Sequence, residues 1–444
     1  MPATSPFHYR DYRAFWAARL ASTMASTMLV VVIGIHVYDL ARETMSIERA
    51  SFWLGMVGLA QFLPLFALTL VAGYVADRID RRWIVRASLA LELLCSAALA
   101  ALVWFDAMSL IPLFAVAVVL GIGRAFAGPA LASFAPNLVP PALLPNAIAL
   151  NSIAWQAGSV AGPLIGGGAY ALSTALPYEA SAILFGVALG AMLIIRPIPL
   201  GNAGDSHPLR AVIEGLRYVR DNKIVLGAIT LDLFAVLLGG ATAMLPVYAR
   251  DILHVGSEGL GALRAAPAVG AALTALVLAR RPLKRHVGAK MFGCVALFGV
   301  ATIVFGESRV MWLSLASLFV LGAADMISVY VRSSLIQLHT PDAMRGRVSA
   351  VSGLFISASN ELGEFRAGLA GSAVGPVMAV VGGGALAVAA TGICALVFPG
   401  LRRADRFVAP DPQILAEASG KDVPDVEVPA MVAGLDPRAE KGQP

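Results

Sequence analysis

The chain has 444 residues, 58% hydrophobic and only 14% charged, with a net charge of +5 and a mean hydropathy of +0.77. A water-soluble globule of this size needs far more charge to cover its surface, so the composition points to a polytopic membrane protein. The basic residues lie in the gaps between apolar runs and not on one face or in one block, which argues against a nucleic-acid binder.

In chain order, twelve apolar runs are predicted to form spanning helices. They cover residues 15–38, 51–76, 83–105, 109–133, 147–171, 178–196, 223–248, 259–280, 290–306, 310–333, 348–373 and 376–398. The first is too long for a cleaved signal peptide and is read as a retained span. None alternates as a barrel strand does, so helices are the spanning element. Lys and Arg set the orientation. The gaps on one side carry 21 of them, among them Arg10, Arg78, Arg81, Arg82, Arg217, Lys284 and Arg347; the other side carries four, Arg42, Arg49, Arg250 and Arg309. Both termini are therefore expected in the cytoplasm.

The longest internal gap, 197–222, contains HPLRAVIEGLRYVRDN, whose apolar residues recur at helical spacing. It is expected to form a short amphipathic helix on the cytoplasmic face. The organisation expected is thus a six-helix bundle over 1–196, the linker 197–222, a second bundle over 223–399 and a mostly disordered tail over 400–444. Cys95, Cys294 and Cys394 are scattered within apolar runs, so neither a disulfide framework nor a metal site is expected.

The halves are related. A shift of 201 residues sets VLGIGRAF (119–126) over VLGAADMI (320–327), and Gly162 and Gly167 over Gly363 and Gly368; a shift of 203 sets Arg78, Arg81 and Arg82 over Arg281, Lys284 and Arg285. Six-plus-six duplication is how many secondary transporters form a pathway between two bundles. The first shift sets Arg124 over Asp325, opposite charges at equivalent depth, and replaces Pro163 with Glu364.

GYVADRIDRR (73–82) fits the pattern G-x-x-x-D-R-x-x-R-R, and GSVAGPLIGG (158–167) fits G-x-x-x-G-P-x-x-G-G. These resemble the loop signature of the major facilitator superfamily and the span-5 signature of its proton-coupled exporters. Arg124 and Gly128 resemble the arginine-containing span-4 signature. HPLRAVIEGLRYV and TPDAMRGRVSAV (340–351) are similar to the branch that includes the enterobactin exporter and macrolide-type efflux proteins. The resemblance implies an all-α fold of twelve helices in two pseudo-symmetric bundles. It also implies a gating latch at Gly73, Asp77, Arg78, Arg81 and Arg82, closed when the pathway faces outward. Arg81 and Arg82 read equally well as topology charges. The 8–9 loop departs from the signature, with Leu276 over Gly73 and Arg280 over Asp77.

Gly158, Gly162 and Gly166 recur every four residues and form one smooth stripe, with Pro163 and Gly167 beside it. Tight packing is the expected use of such a stripe, substrate contact the alternative. Ionisable groups at mid-bilayer cost about 2.5–3.5 kcal/mol or more each, so they face partners or water. The acids are Glu92, Asp232, Asp325, Glu361 and Glu364; the bases are Arg19, Arg124, Arg264, Arg332 and Arg366. Glu361 and Glu364, three apart, share a helix face. Burial and a like charge favour the protonated form, so Asp325, Glu361 and Glu364 are the candidates to couple proton entry to substrate exit. The alternative is a static ion pair, Glu364 with Arg366 or Arg332, that pins the bundles. Asp232 lines the cavity or pairs with Arg19. Arg124 holds a carboxylate or an anionic substrate group, or tunes a neighbour. Arg264 reads as an interfacial charge, and Glu92 faces lipid or marks a crevice. Trp155, Arg332 and Arg366 are candidate substrate contacts, with core packing the alternative for Trp155.

No GxxxxGK[ST] loop, HExxH or serine elbow occurs, so neither ATP-driven transport nor an enzyme is expected, and no cofactor. The expectation is a monomeric inner-membrane exporter of a small to medium organic compound, drug-like or siderophore, driven by protons. An importer or lipid mover of the same fold and a non-transporting receptor remain as alternatives.

Overall fold

The computed structural model describes residues 5–132, 134, 138–140, 143–196 and 208–407, with the backbone alone for 69–70, 73–74, 76–78, 128–130, 132, 145, 208–211 and 342–343. The helices are α1 Arg10–Thr44, α2 Ile47–Arg78, α3 Arg81–Trp104, α4 Leu110–Ala132, α5 Leu144–Leu172, α6 Leu176–Ile194, α7 Pro208–Asp221, α8 Lys223–Gly239, α9 Leu245–Val247, α10 Gly256–Arg280, α11 Val287–Glu307, α12 Met311–Leu338, α13 Asp342–Val374, α14 Pro376–Val397 and α15 Pro399–Arg402; no strand occurs among the described residues.

Helix starts follow local chemistry. Ser46 accepts from the Arg49 amide at the start of α2, Asp80 from Arg82 at α3, and Asn222 from Ile224 and Val225 at α8. These side-chain oxygens satisfy amides that a helix start leaves unpaired. Prolines open α5, α6 and α14, where no donor is required.

Ten segments among the described residues are long and apolar enough to cross a membrane. The two predicted spans outside that set are α5 and α13, which are long, at 29 and 33 residues. Both run through the interior: α5 packs against α1 and α10, and α13 against α2 and α8. A helix flanked by protein and polar side chains need not be apolar throughout.

Helices α1–α6 form one bundle, and α8 with α10–α14 the other. The duplication is visible in their packing. Helix α4 crosses α2 as α12 crosses α10, and α3 pairs with α6 as α11 pairs with α14. The crossings share their small residue. A Cβ on Gly121 would meet the Pro64 ring at 2.7 Å, and one on Gly322 would meet the Pro267 Cα at 2.6 Å. Both prolines sit inside their helices.

Two helix pairs form the seam between the bundles, α2 with α13 and α5 with α10. Glycines meet at both. A Cβ on Gly55 would come within 2.8 Å of the Gly368 Cα, and one on Gly167 equally close to that of Gly261. Small residues let the backbones touch. These contacts lie toward the end that carries the α1–α2 turn. Toward the opposite end, which carries α7, Leu63 and Phe66 on α2, Ile153 and Trp155 on α5, and Leu273 and Leu276 on α10 are about half exposed.

The run predicted as one span over 223–248 is broken. Helix α8 stops at Gly239, and a 3-10 turn at Thr242–Met244, α9 and a π turn at Tyr248–Ile252 complete it. Gly239, Gly240 and Pro246 explain the break: two flexible positions and a missing donor. The π turn aims two charges at α1. Arg250 pairs with Asp39. Asp251 accepts from Arg42 at 3.2 Å and from the Tyr38 hydroxyl. Tyr170 on α5 donates to Asp39 at 3.2 Å. These crossed pairs tie the bundles at the end distal to α7.

At the other end α7 buries Tyr218 and Val219 beside Val348 and Val351 of α13, and the Tyr218 hydroxyl donates to the His339 carbonyl. Residues 197–207 and 408–444 lie outside the described residues. Residues 400–407 do not share the disorder expected of the tail: Asp405 accepts from the His286 amide at 3.0 Å, beside the start of α11.

Candidate functional site

The seam holds a polar network midway along α2 and α13. Glu361 and Glu364, one turn apart on α13, face α2 where Gly58 makes room; a Cβ there would meet the Glu364 Cβ at 3.2 Å. Glu364 accepts from Arg264 of α10 at 3.4 Å. Arg264 also donates to the Thr242 carbonyl at 2.9 Å. From the first bundle, Arg124 of α4 donates to Gln61 of α2 at 2.9 Å. Its other nitrogen stands 3.9 Å from Glu361, with side-chain exposures of 36% and 15%.

The broken span explains two of the arginines. A helix end leaves carbonyls without amide partners and carries the negative end of the helix dipole. Arg366 donates to the Leu237 carbonyl at 2.9 Å, and Arg264 to Thr242 just beyond the break. Arg366 is therefore spent on backbone and does not pair with Glu364.

A cavity of about 40 Å³ opens at this point, lined by Val30, Gly58 and Gln61 from one bundle and Pro246, Arg264 and Glu364 from the other. A smaller one of about 10 Å³ shares Val30 and Gln61 and adds Glu92 and Arg124. The larger has space for ordered water among polar partners.

Asp325 on α12 makes no ion pair or hydrogen bond among the described residues, and no described contact joins it to Glu361 or Glu364. Asp232 of α8 pairs with Arg332 of α12 inside the second bundle, with side-chain exposures of 9% and 5%. That pair removes both from the described cavities, and Arg332, not Arg19, is the partner of Asp232.

Of the glycine stripe, Gly158, Gly162 and Gly166 press against Thr23, Met24 and Met28 of α1. The Pro163 carbonyl lies against Gly261, and Gly167 touches the same residue, so these two belong to the seam. Trp155 is 49% exposed on α5, on the α7 side of the network. Of the latch residues, the Gly73, Asp77 and Arg78 side chains lie outside the described residues, and Arg81 opens α3. Arg82 is engaged inside its own bundle, with Asp80 at 2.6 Å and the Ile195 carbonyl of the α6 end at 3.3 Å.

Sequence reasoning missed Gln61 and misread Arg264 as interfacial. The shift of 203 residues that aligns the loop charges also sets Pro64 over Pro267 and Gln61 over Arg264. The signal was present in the helix interiors, three residues from a shared proline.

The family of transmembrane secretion effectors matches residues 1–413. A protein of Citrobacter koseri named enterobactin exporter is 25% identical over 346 residues, 77% of this chain and 80% of that protein. One of Escherichia coli O1:K1 with the same name is 24% identical over 414 residues, 92% and 96% of the two. Among solved structures, a POT family transporter in complex with 5-aminolevulinic acid superposes with a TM-score of 0.71 at 12% identity, covering 88% of this chain and 97% of that one. A D-xylose–proton symporter gives 0.67 at 13%, covering 87% and 97%.

Proposed function

Because this chain belongs to the transmembrane secretion effector family and has the major facilitator fold, we propose that it exports a small to medium organic compound in exchange for protons, by alternating access. The chain is a multi-pass membrane protein and a secondary transporter. The apolar runs support twelve spans in an inner membrane, and the Lys and Arg distribution supports both termini cytoplasmic. The relatives named enterobactin exporters support a siderophore-sized or drug-like cargo.

One observation carries the proton reading: Glu361 and Glu364 share a seam cavity with Arg124 and Arg264, at the boundary that alternating access must open and close. Carboxylates in such a site are tolerated when paired or protonated, and seam opening changes which applies. Asp325 is a further proton carrier in this reading, since no cation pairs with it among the described residues. The glycine contacts and crossed ion pairs at the end distal to α7 support a conformation closed outward and open toward the cytoplasm.

The test is accumulation of candidate compounds in everted vesicles with an imposed pH gradient. Wild-type vesicles are expected to accumulate at least one compound when the gradient is present. Glu361→Gln and Glu364→Gln proteins should be inserted and folded yet lose gradient-driven uptake. Full uptake by both variants would sink the proton-coupled mechanism.

A further inference from the structure

Glu92 on α3 is 4% exposed, and its carboxylate has no hydrogen bond or ion pair among the described residues. It does not face lipid. Gly123 of α4 lies flush against its methylenes, where a Cβ would meet the Glu92 Cγ at 3.4 Å. Glu92 lines the smaller cavity with Ser26 of α1, Gln61 of α2, Arg124 of α4 and Phe185 of α6. Of these neighbours only Arg124 carries charge; Cys95 lies one turn along α3. Across the seam stand Glu361, Glu364 and Arg264.

Around Arg124 and Arg264 there are thus three carboxylates, Glu92, Glu361 and Glu364. An ionised carboxylate without a partner is costly away from water, so one of the three holds a proton. Glu364 has Arg264 at 3.4 Å, and Glu361 has Arg124 at 3.9 Å. Glu92 has neither.

We propose that Glu92 is a further proton-carrying residue of the transport site, and that Arg124 serves Glu92 and Glu361 in alternation. In the conformation described, Arg124 leans toward Gln61 and Glu361, and Glu92 carries the proton. When α13 withdraws from α2, Glu361 leaves the reach of Arg124. The guanidinium then turns to Glu92, whose O–H proton passes to cavity water. The Glu361 carboxylate takes up a proton from water on its newly exposed side. The alternation deepens the transport reading and rests on it for the direction of the cycle, but the protonation of Glu92 is measurable with no transported compound.

The test is infrared spectroscopy of the full chain in lipid at neutral pH, following the C=O stretch of protonated carboxyl groups. One such band is expected to be present in wild type and lost in Glu92→Gln. The same band should survive Asp325→Asn. It should weaken in Glu361→Gln, because Arg124 without its seam partner turns to Glu92. A spectrum unchanged by Glu92→Gln overturns the proposal, as does a Glu92 band that Glu361→Gln leaves at full intensity. If Glu92→Gln does not fold, Glu92→Asp decides: it keeps an acid there and should shift the band, and a band left at its wild-type frequency and intensity overturns the proposal. If the band behaves as expected while everted vesicles show no proton-linked uptake, the transport reading fails and the assignment of Glu92 stands.

Discussion

Arg124 on α4 and Glu361 on α13 face each other across the seam, 3.9 Å apart, one side chain from each bundle. That separation is too long for a hydrogen bond, while the Gln61 contact of the same guanidinium is a good one at 2.9 Å. The cross-seam attraction is therefore loose enough to break each time the bundles move. Replacing Arg124 with Gln should change thermal stability by less than about 1 kcal/mol, since the side chain is a third exposed. Gradient-driven uptake should nevertheless fall to background. A thermal melt beside a vesicle assay checks both halves, and a large loss of stability with uptake intact would contradict the assignment.

The crossed ion pairs at the end distal to α7 join Asp39 to Arg250 and Arg42 to Asp251. Reversing one charge, as in Arg250→Glu, sets two acids against each other and should favour separation of the bundles there. Restoring the pair as Asp39→Lys with Arg250→Glu should return the closed state. Spin labels on a cysteine-free protein at Glu48 and Glu258, one on each bundle, measure this directly. The single variant should lengthen the distance distribution and the double variant should shorten it again.

Gly167 leaves no room for a side chain against Gly261. A leucine there must push α5 from α10, and overpacking of this kind costs about 1–3 kcal/mol. The same label pair should report a shift toward the separated state in Gly167→Leu. Gly168 has open space beside it, so Gly168→Leu is the control and should leave the distances unchanged.

Asp232 and Arg332 are the deeply buried pair of the second bundle. Removing one partner strands the other, at a cost of about 3–5 kcal/mol. Asp232→Asn should therefore lower the melting temperature strongly, while Asp232→Leu with Arg332→Met should recover much of the loss. Similar mild effects for single and double variants would show that the pair is not what holds α8 to α12.

Outside the membrane, hydrogen bonds from Arg82 hold the Asp80 carboxyl below the ordinary carboxylate range. An acid depressed in this way stabilises the fold above its unfolded value, and that contribution disappears as pH falls through the folded value. Asp80→Asn should be less stable than wild type at neutral pH, by about 1 kcal/mol or less for a partly exposed pair. The difference should shrink progressively as the pH falls below the ordinary aspartate value of about 3.9. Parallel melts across that range test the sign.

Much of this architecture is legible in the sequence because hydropathy and glycine spacing act locally. The apolar runs give helices, and the duplication appears in the packing of Gly121 on Pro64 and of Gly322 on Pro267. The site was half legible. Glu361 and Glu364 stand out as charges in an apolar run, but their partners come from other helices. Arg264 reaches Glu364 from a hundred residues away. The break after Gly239 is hidden because the chain stays apolar on both sides of it, and only the two glycines and Pro246 betray it. Arg366 looked like a partner for Glu364, yet the orphan carbonyl of Leu237 claims it. Partner choice of this kind depends on where backbone ends, which hydropathy does not record.

The most direct measurement is proton movement in sealed proteoliposomes that hold a pH-sensitive dye, started by adding a compound the protein exports. Wild-type protein should move protons against the compound in a fixed ratio, and Glu361→Gln with Glu364→Gln should abolish the proton signal while compound binding persists. Compound movement that continues at the wild-type rate in that double variant, or that proceeds in wild type with no pH change, would contradict the account.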